Sequence, residues 1–174
     1  MEELISQIKK AVDQNLYLIA LASCLTLPDI CGAINTRKGL ANGQNFRSWY
    51  DQYVFPNYDA LTSDECYNFR CKFLHQGQTR AKGKNSYFSH IAFAEPIPRN
   101  QGTISVNIGK TKVSGNVGPK SIDVLEFINA ILLGVATWMQ EKTGTEVYEK
   151  NIRQSVQRHP EGIPGIIKGV PYIY

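Results

Sequence analysis

Histidine is scarce in this 174-residue chain: His75, His90 and His159 are the only three. None is spaced to share a metal with another histidine, a cysteine or an acid, so neither a catalytic metal nor a cofactor is expected. Cysteine is equally thin. Cys24, Cys31, Cys66 and Cys71 form no CxxC knuckle, and a chain that is 43% hydrophobic needs no disulfide framework. They read as reduced core thiols of a cytoplasmic protein. Long apolar runs are missing too, because Pro28 and Asp29 interrupt the segment from Leu16 to Ile34 short of the ~20 residues a membrane span needs. No export signal is expected. Leu21-Ala22-Ser23-Cys24 has the look of a lipoprotein processing site, yet Glu2, Glu3 and Asp13 offset Lys9 and Lys10 around an apolar run of only seven residues, Leu16 to Ala22. There is no Gly-x-Ser-x-Gly elbow and no acid pair suited to glycoside or peptide hydrolysis. The glycines between Ser114 and Ser121 are too closely spaced for a phosphate loop, with Pro119 between Gly118 and Lys120.

Acid is nearly absent from the middle of the chain. Residues 66 to 122 hold nine bases against the single Glu95, a net charge of +8, whereas the remainder carries −4. A basic middle on an acidic frame suits a phosphate-backbone partner, because neutralising phosphates releases counterions. A solvated basic loop is the plainer reading.

At this length one domain with its own core is expected, residues 1–174, mainly α-helical. Leu4, Ile5, Ile8, Val12 and Leu16 predict a first helix from Glu2 into the low twenties, ending deep in the core. Leu27-Pro28-Asp29 restarts a short helix through Ala33. Asn45 is placed to cap a helix bearing Phe46, Trp49, Tyr50 and Tyr53. Thr62 and Glu65 form a capping box for the next helix, ended by Gly77. Tyr87 to Ala94 and Thr103 to Val113 alternate β-branched and aromatic residues with polar ones, predicting a small β-hairpin insert over about 87–113. Ser121 should cap a strong helix carrying Ile128, Ile131, Val135 and Trp138 inward as far as Gly144. A last helix holds Tyr148, Ile152 and Val156. The tail, about 161–174, reads as an extended strap over the bundle or into a second protomer.

The chemistry concentrates in Arg70-Cys71-Lys72-Phe73-Leu74-His75-Gln76-Gly77. Projected at ~100° per residue, Cys66, Tyr67, Phe69, Cys71, Phe73 and Leu74 share one sector, and Arg70 falls near its centre. A guanidinium there must find an anion. It could be a carboxylate or a substrate phosphate. Five residues turn through ~500°, so Arg70 and His75 should point ~140° apart, and a helix break near Gly77 or a second copy would be needed to unite them. A second match, Arg153-x5-His159, has its arginine on the polar side, as an ordinary surface residue would.

Arg-x4-His late in a helix, with Tyr67 before it and Leu74-His75-Gln76-Gly77 closing it, resembles the signature of the HEPN superfamily. The resemblance covers the helical part of the chain and implies a bundle of four or five helices. It also implies a homodimer that pairs two motifs, and commonly metal-independent cleavage of RNA by a toxin or defence protein. By that resemblance His75 is the general base or acid and Arg70 stabilises phosphoryl charge, while Lys72, Gln76, Arg80, Lys82 and Lys84 hold the RNA. An antitoxin or nucleotidyltransferase partner is implied, and no membrane. Cys71 stands where nuclease members usually carry Asn, Asp or His. The alternative is a non-catalytic module of the same fold that binds RNA, nucleotide or a protein partner, its Arg70 satisfied by a buried carboxylate.

Overall fold

Asn15 divides the first expected helix in two. In this computed structural model, which describes residues 1–79, 91–96 and 120–174, α1 spans Glu2–Asp13 and α2 spans Tyr17–Cys24. Asn15 takes a left-handed φ of 58°, a conformation asparagine tolerates better than most residues. Leu16 closes the turn by donating to Ala11 O, which lets α2 fold back against α1. The apolar periodicity runs through this turn without a mark. As expected, the end of α2 is deep: Ala20, Leu21 and Cys24 are buried. Its start is not, with Leu16, Leu18 and Ile19 exposed.

Helix α3, Leu27–Ile34, starts with Pro28 in its first turn, where a missing N–H costs nothing. Tyr17–Ile34 is long and apolar enough by composition to cross a membrane, but half of it is buried within the protein. Helix α4, Gly43–Tyr53, is capped by Asn42 rather than Asn45. Asn42 has the extended backbone a cap requires and accepts from the Asn45 N–H at 2.8 Å. The Asn45 side chain instead donates to Leu40 O. Phe46, Trp49, Tyr50 and Tyr53 all face the core.

Helices α3 and α4 pack closely because Gly32 has no side chain. A Cβ there would stand 2.8 Å from Asn45 O and 2.9 Å from Asn45 C, both backbone atoms. Gly32→Ala must push the two helices apart, and the expected loss is about 2 kcal/mol, the usual scale of overpacking. Urea denaturation checks it; an unchanged midpoint would contradict the packing.

Helix α5, Ser63–Gln76, has the capping box read from the sequence and ends on Gly77 at φ 61°. Then β1, Ile91–Ala94, pairs in parallel with β2, Lys120–Asp123. Ser121 is therefore a strand residue and does not cap α6, which spans Val124–Lys142. Asp123 caps it, accepting from Leu125 N and Glu126 N at 2.8 and 2.9 Å. The expected hairpin partner, Thr103 to Val113, and most of the insert lie outside the described residues. Ile128, Ile131, Val135 and Trp138 are buried as read.

The last helix, α7, is Glu146–Ile152 and stops before Val156, which is exposed. Gln154 and Ser155 close it by donating to carbonyls three residues back. His159 therefore lies outside any helix. It lies in β3, Arg158–His159, paired antiparallel with β6, Tyr172–Ile173, and β4, Gly162–Ile163, pairs with β5, Ile167–Lys168. The tail is thus two short ribbons rather than an extended strap. The molecule is mainly helical, with one buried cluster that draws on α1 to α6, both β1 and β2, and α7.

Candidate functional site

The α5 capping box sets the rotation of everything downstream on that helix. Thr62 Oγ1 accepts from Glu65 N, and the Glu65 carboxylate accepts from Thr62 N at 2.9 Å. The same carboxylate receives Lys120 Nζ at 2.9 and 2.7 Å, which ties the start of α5 to β2. Burial raises the Glu65 carboxyl, but the Lys120 and Thr62 donors outweigh it and hold the group below its ordinary value. A carboxyl lowered on folding stabilises the protein above its unfolded value, about 4.3, and loses that contribution as pH falls through the folded value. Both partners are part exposed, so screening keeps the contribution within about 1 kcal/mol. Glu65→Gln should lower stability at neutral pH by that amount and converge with wild type in acid. Urea titrations from pH 7 to pH 2 would show it, and a constant gap would contradict it.

On this helix Phe69 and Cys66 are buried, whereas Arg70 is not simply inside. Its side chain is 19% exposed and ion-paired with Asp29 of α3, itself 12% exposed. The anion that Arg70 required is a carboxylate of its own chain. Arg70 Nη2 meets Asp29 Oδ2 directly, joining charge attraction to a side-chain hydrogen bond. Burial pushes the Asp29 carboxyl above its ordinary value, and Arg70 and His75 pull it back only in part.

The other end of the guanidinium corrects the expected divergence. Arg70 Nη1 lies 3.3 Å from His75 Nε2 although α5 runs unbroken between them. The projection described Cβ directions, while the flexible arginine stem runs along the ~7.5 Å rise of five residues and reaches the imidazole. Neither a break nor a second copy is needed. A guanidinium has only donors, so Nε2 is the acceptor of this hydrogen bond.

Arg70 Nη1 also approaches Cys71 Sγ at 3.7 Å. The Tyr67 hydroxyl meets the same thiol, a contact that raises the phenol above its ordinary value. Tyr67 is fixed in turn by Arg47, 4.2 Å above its ring, and by Phe46 packed on its edge. Arg47 is held by Asp64 at 2.5 Å and by Gly43 O at 2.8 Å.

Of the residues expected to bind substrate, Lys72 is half-buried and Gln76 exposed at the end of α5. Lys72 starts ~200° around the helix from Arg70 and does not join it. Arg80, Lys82 and Lys84 lie outside the described residues. Asp29 was missed as a site residue, though the signal was present: an acid in an otherwise apolar helix needs a cation, and Arg70 was the cation in an apolar face. Among the described residues, no three His, Cys, Asp or Glu side chains gather to hold a metal. Arg153 stands at the end of α7, apart in the chain fold from the strand that carries His159.

Comparisons with protein-family models, with curated proteins and with solved structures find no match to this chain.

Proposed function

We propose that this chain is a metal-independent RNA endonuclease of HEPN type, built on a HEPN-like helical bundle. The observation that carries the reading is that Arg70 contacts Asp29 through one guanidinium nitrogen and His75 through another. It places a proton acceptor beside a cation whose orientation a third group fixes. Once Arg70 Nη1 has left Nε2 for the phosphate, His75 Nε2 takes the proton from a ribose 2′-hydroxyl, and the 2′-oxygen attacks the adjacent phosphorus as the 5′-oxygen leaves. The products are a 2′,3′-cyclic phosphate and a 5′-hydroxyl. Arg70 turns its guanidinium N–H groups to the phosphoryl oxygens as their charge grows. The leaving 5′-oxygen needs a proton donor, and in a homodimer His75 of a second copy, present as the imidazolium after taking a proton from solvent, supplies it. Lys72, Gln76 and the basic stretch with Arg80, Lys82 and Lys84 hold phosphates along the strand.

A second reading has its own support. Asp29 already neutralises Arg70 within one chain, which is what a non-catalytic module of the same fold would show. Incubation with single-stranded RNA in EDTA separates the two: the nuclease leaves 2′,3′-cyclic ends, and uncut RNA contradicts it.

A further inference from the structure

Arg47 is an arginine that the proposed chemistry leaves unused. It stands on α4 and lies over the ring of Tyr67 on α5, with Cζ 4.2 Å from the ring centroid. Nε donates to Asp64 at 2.5 Å and Nη1 to Gly43 O at 2.8 Å, so the planar fork is fixed at two of its edges. Gly43 makes the seat possible. A Cβ there would stand 2.8 Å from Arg47 Nη1 and 2.9 Å from both Cζ and the hydroxyl oxygen of Tyr67. Phe46 supports the Tyr67 ring from the side, the two centroids 5.3 Å apart.

Those two hydrogen bonds use in-plane donors and leave the faces of the guanidinium alone. One face rests on Tyr67. The side chain is nevertheless 29% exposed, and with the near face and two edges covered, that exposure falls to the outer face and to Nη2. Among the described residues nothing pairs with Nη2. A guanidinium plane held rigid against an aromatic ring is a surface on which nucleobases stack. Stacking needs no free charge, so the Asp64 pair does not oppose it.

The position along α5 fits a strand. Tyr67 precedes Arg70 by three residues, ~4.5 Å of helix rise and ~60° of rotation, and both side chains meet the Cys71 thiol. A nucleic-acid strand rises ~3.4 Å per nucleotide when stacked and more when drawn out. A base on Arg47 and a phosphate on Arg70 are therefore about one nucleotide apart. We propose that the outer face of Arg47 is a stacking platform for one base of a single-stranded RNA, next to the phosphate that Arg70 holds. Duplex RNA is a poor substrate on this account, because its bases already stack on one another. The choice of RNA as ligand rests on the nuclease reading; the platform itself is tested without cleavage.

The probes are a short deoxyadenylate strand, which has no 2′-hydroxyl to attack its phosphates, and an abasic strand of the same length and charge. Both are titrated into the full chain by fluorescence anisotropy. Phosphate contacts are common to the two, so their difference reads the base. The deoxyadenylate strand should bind at least ~5-fold more tightly, the lower end for one stacked base. Arg47→Lys keeps the charge and loses the plane, and should bring the two affinities together. In the parent the Arg47 Nε–H resonance should shift with the deoxyadenylate strand and not with the abasic one, a readout that does not depend on a variant folding. Equal affinities in the parent, a preference that survives Arg47→Lys, or an unmoved Nε–H resonance would each overturn the proposal. Cleavage of the matching RNA is read in parallel, where Arg47→Lys should raise KM more than it lowers kcat and a parental KM would contradict the platform. Base preference with uncut RNA keeps the platform and removes the nuclease, whereas cut RNA without base preference does the reverse.

Discussion

Asp29→Ala should destabilise the protein by about 3 kcal/mol, a large effect for a single side chain. It leaves the Arg70 guanidinium, mostly out of water, without a counter-charge, and arginine cannot escape by losing its proton. Removing one partner of a buried pair costs roughly 3–5 kcal/mol; the residual exposure of both groups places this pair at the low end. For a chain of this length the melting temperature should fall by about 6–12 °C. Asp29→Ala combined with Arg70→Met should recover much of the loss, because the orphan charge is gone and an apolar stem of similar shape remains. If the double variant is no more stable than Asp29→Ala alone, the pair is not what strains the single variant. Arg70→Ala should be milder than Asp29→Ala, since the carboxyl left behind is already raised by burial and can take up a proton.

His75→Ala should lower the rate of RNA cleavage by about 10²–10⁴, the range for losing a positioned general base. It should do so with little change in stability, because His75 is exposed at the end of α5 and packs no core. This dissociation is informative. A variant that loses activity and stability together, as Asp29→Ala should, says nothing about chemistry unless compared with one that loses activity alone. Single-turnover rates with a short single-stranded RNA, alongside melting curves, check both halves. A His75→Ala protein that cuts at the parent rate would remove the imidazole from the mechanism.

The sequence was legible where one local signal dominates. The Thr62–Glu65 box, Gly77, the α4 aromatic stripe and the inward face of α6 are each set by neighbours a few residues away, and each is present. It was illegible where two signals compete or the partner is distant. Asn42 and Asn45 are both good caps, and the backbone before Gly43 decided between them. Ser121 and Asp123 competed in the same way; β2 pairs with β1 as far as Asp123, so the helix starts only after it and the last strand residue is the cap. The break at Asn15 leaves hydrophobic periodicity intact and shows only in the backbone angles of residues 14–16. In the tail, Val156 kept helical spacing, but turn closure after Ile152 and strand pairing of residues 158–173 overrode it.

The site followed the same division. Arg70 and His75 were found because they share one helix, and the need for an anion followed from the burial of a permanent charge. That the anion is Asp29 depends on α3 crossing α4 at Gly32 and on the rotation α5 takes from its cap, which no window of sequence contains. Their ~140° separation was sound geometry for Cβ atoms, and the arginine stem made up the difference.

The measurement that tests the central claim most directly is a double-mutant cycle on RNA cleavage in EDTA with Arg70→Ala, His75→Ala and both together, each below its melting range. If the two side chains act as one unit, each single variant loses at least ~10²-fold, and the double variant loses scarcely more than the worse single one. Single variants that cut like the parent, or losses that multiply in the double variant, would contradict it.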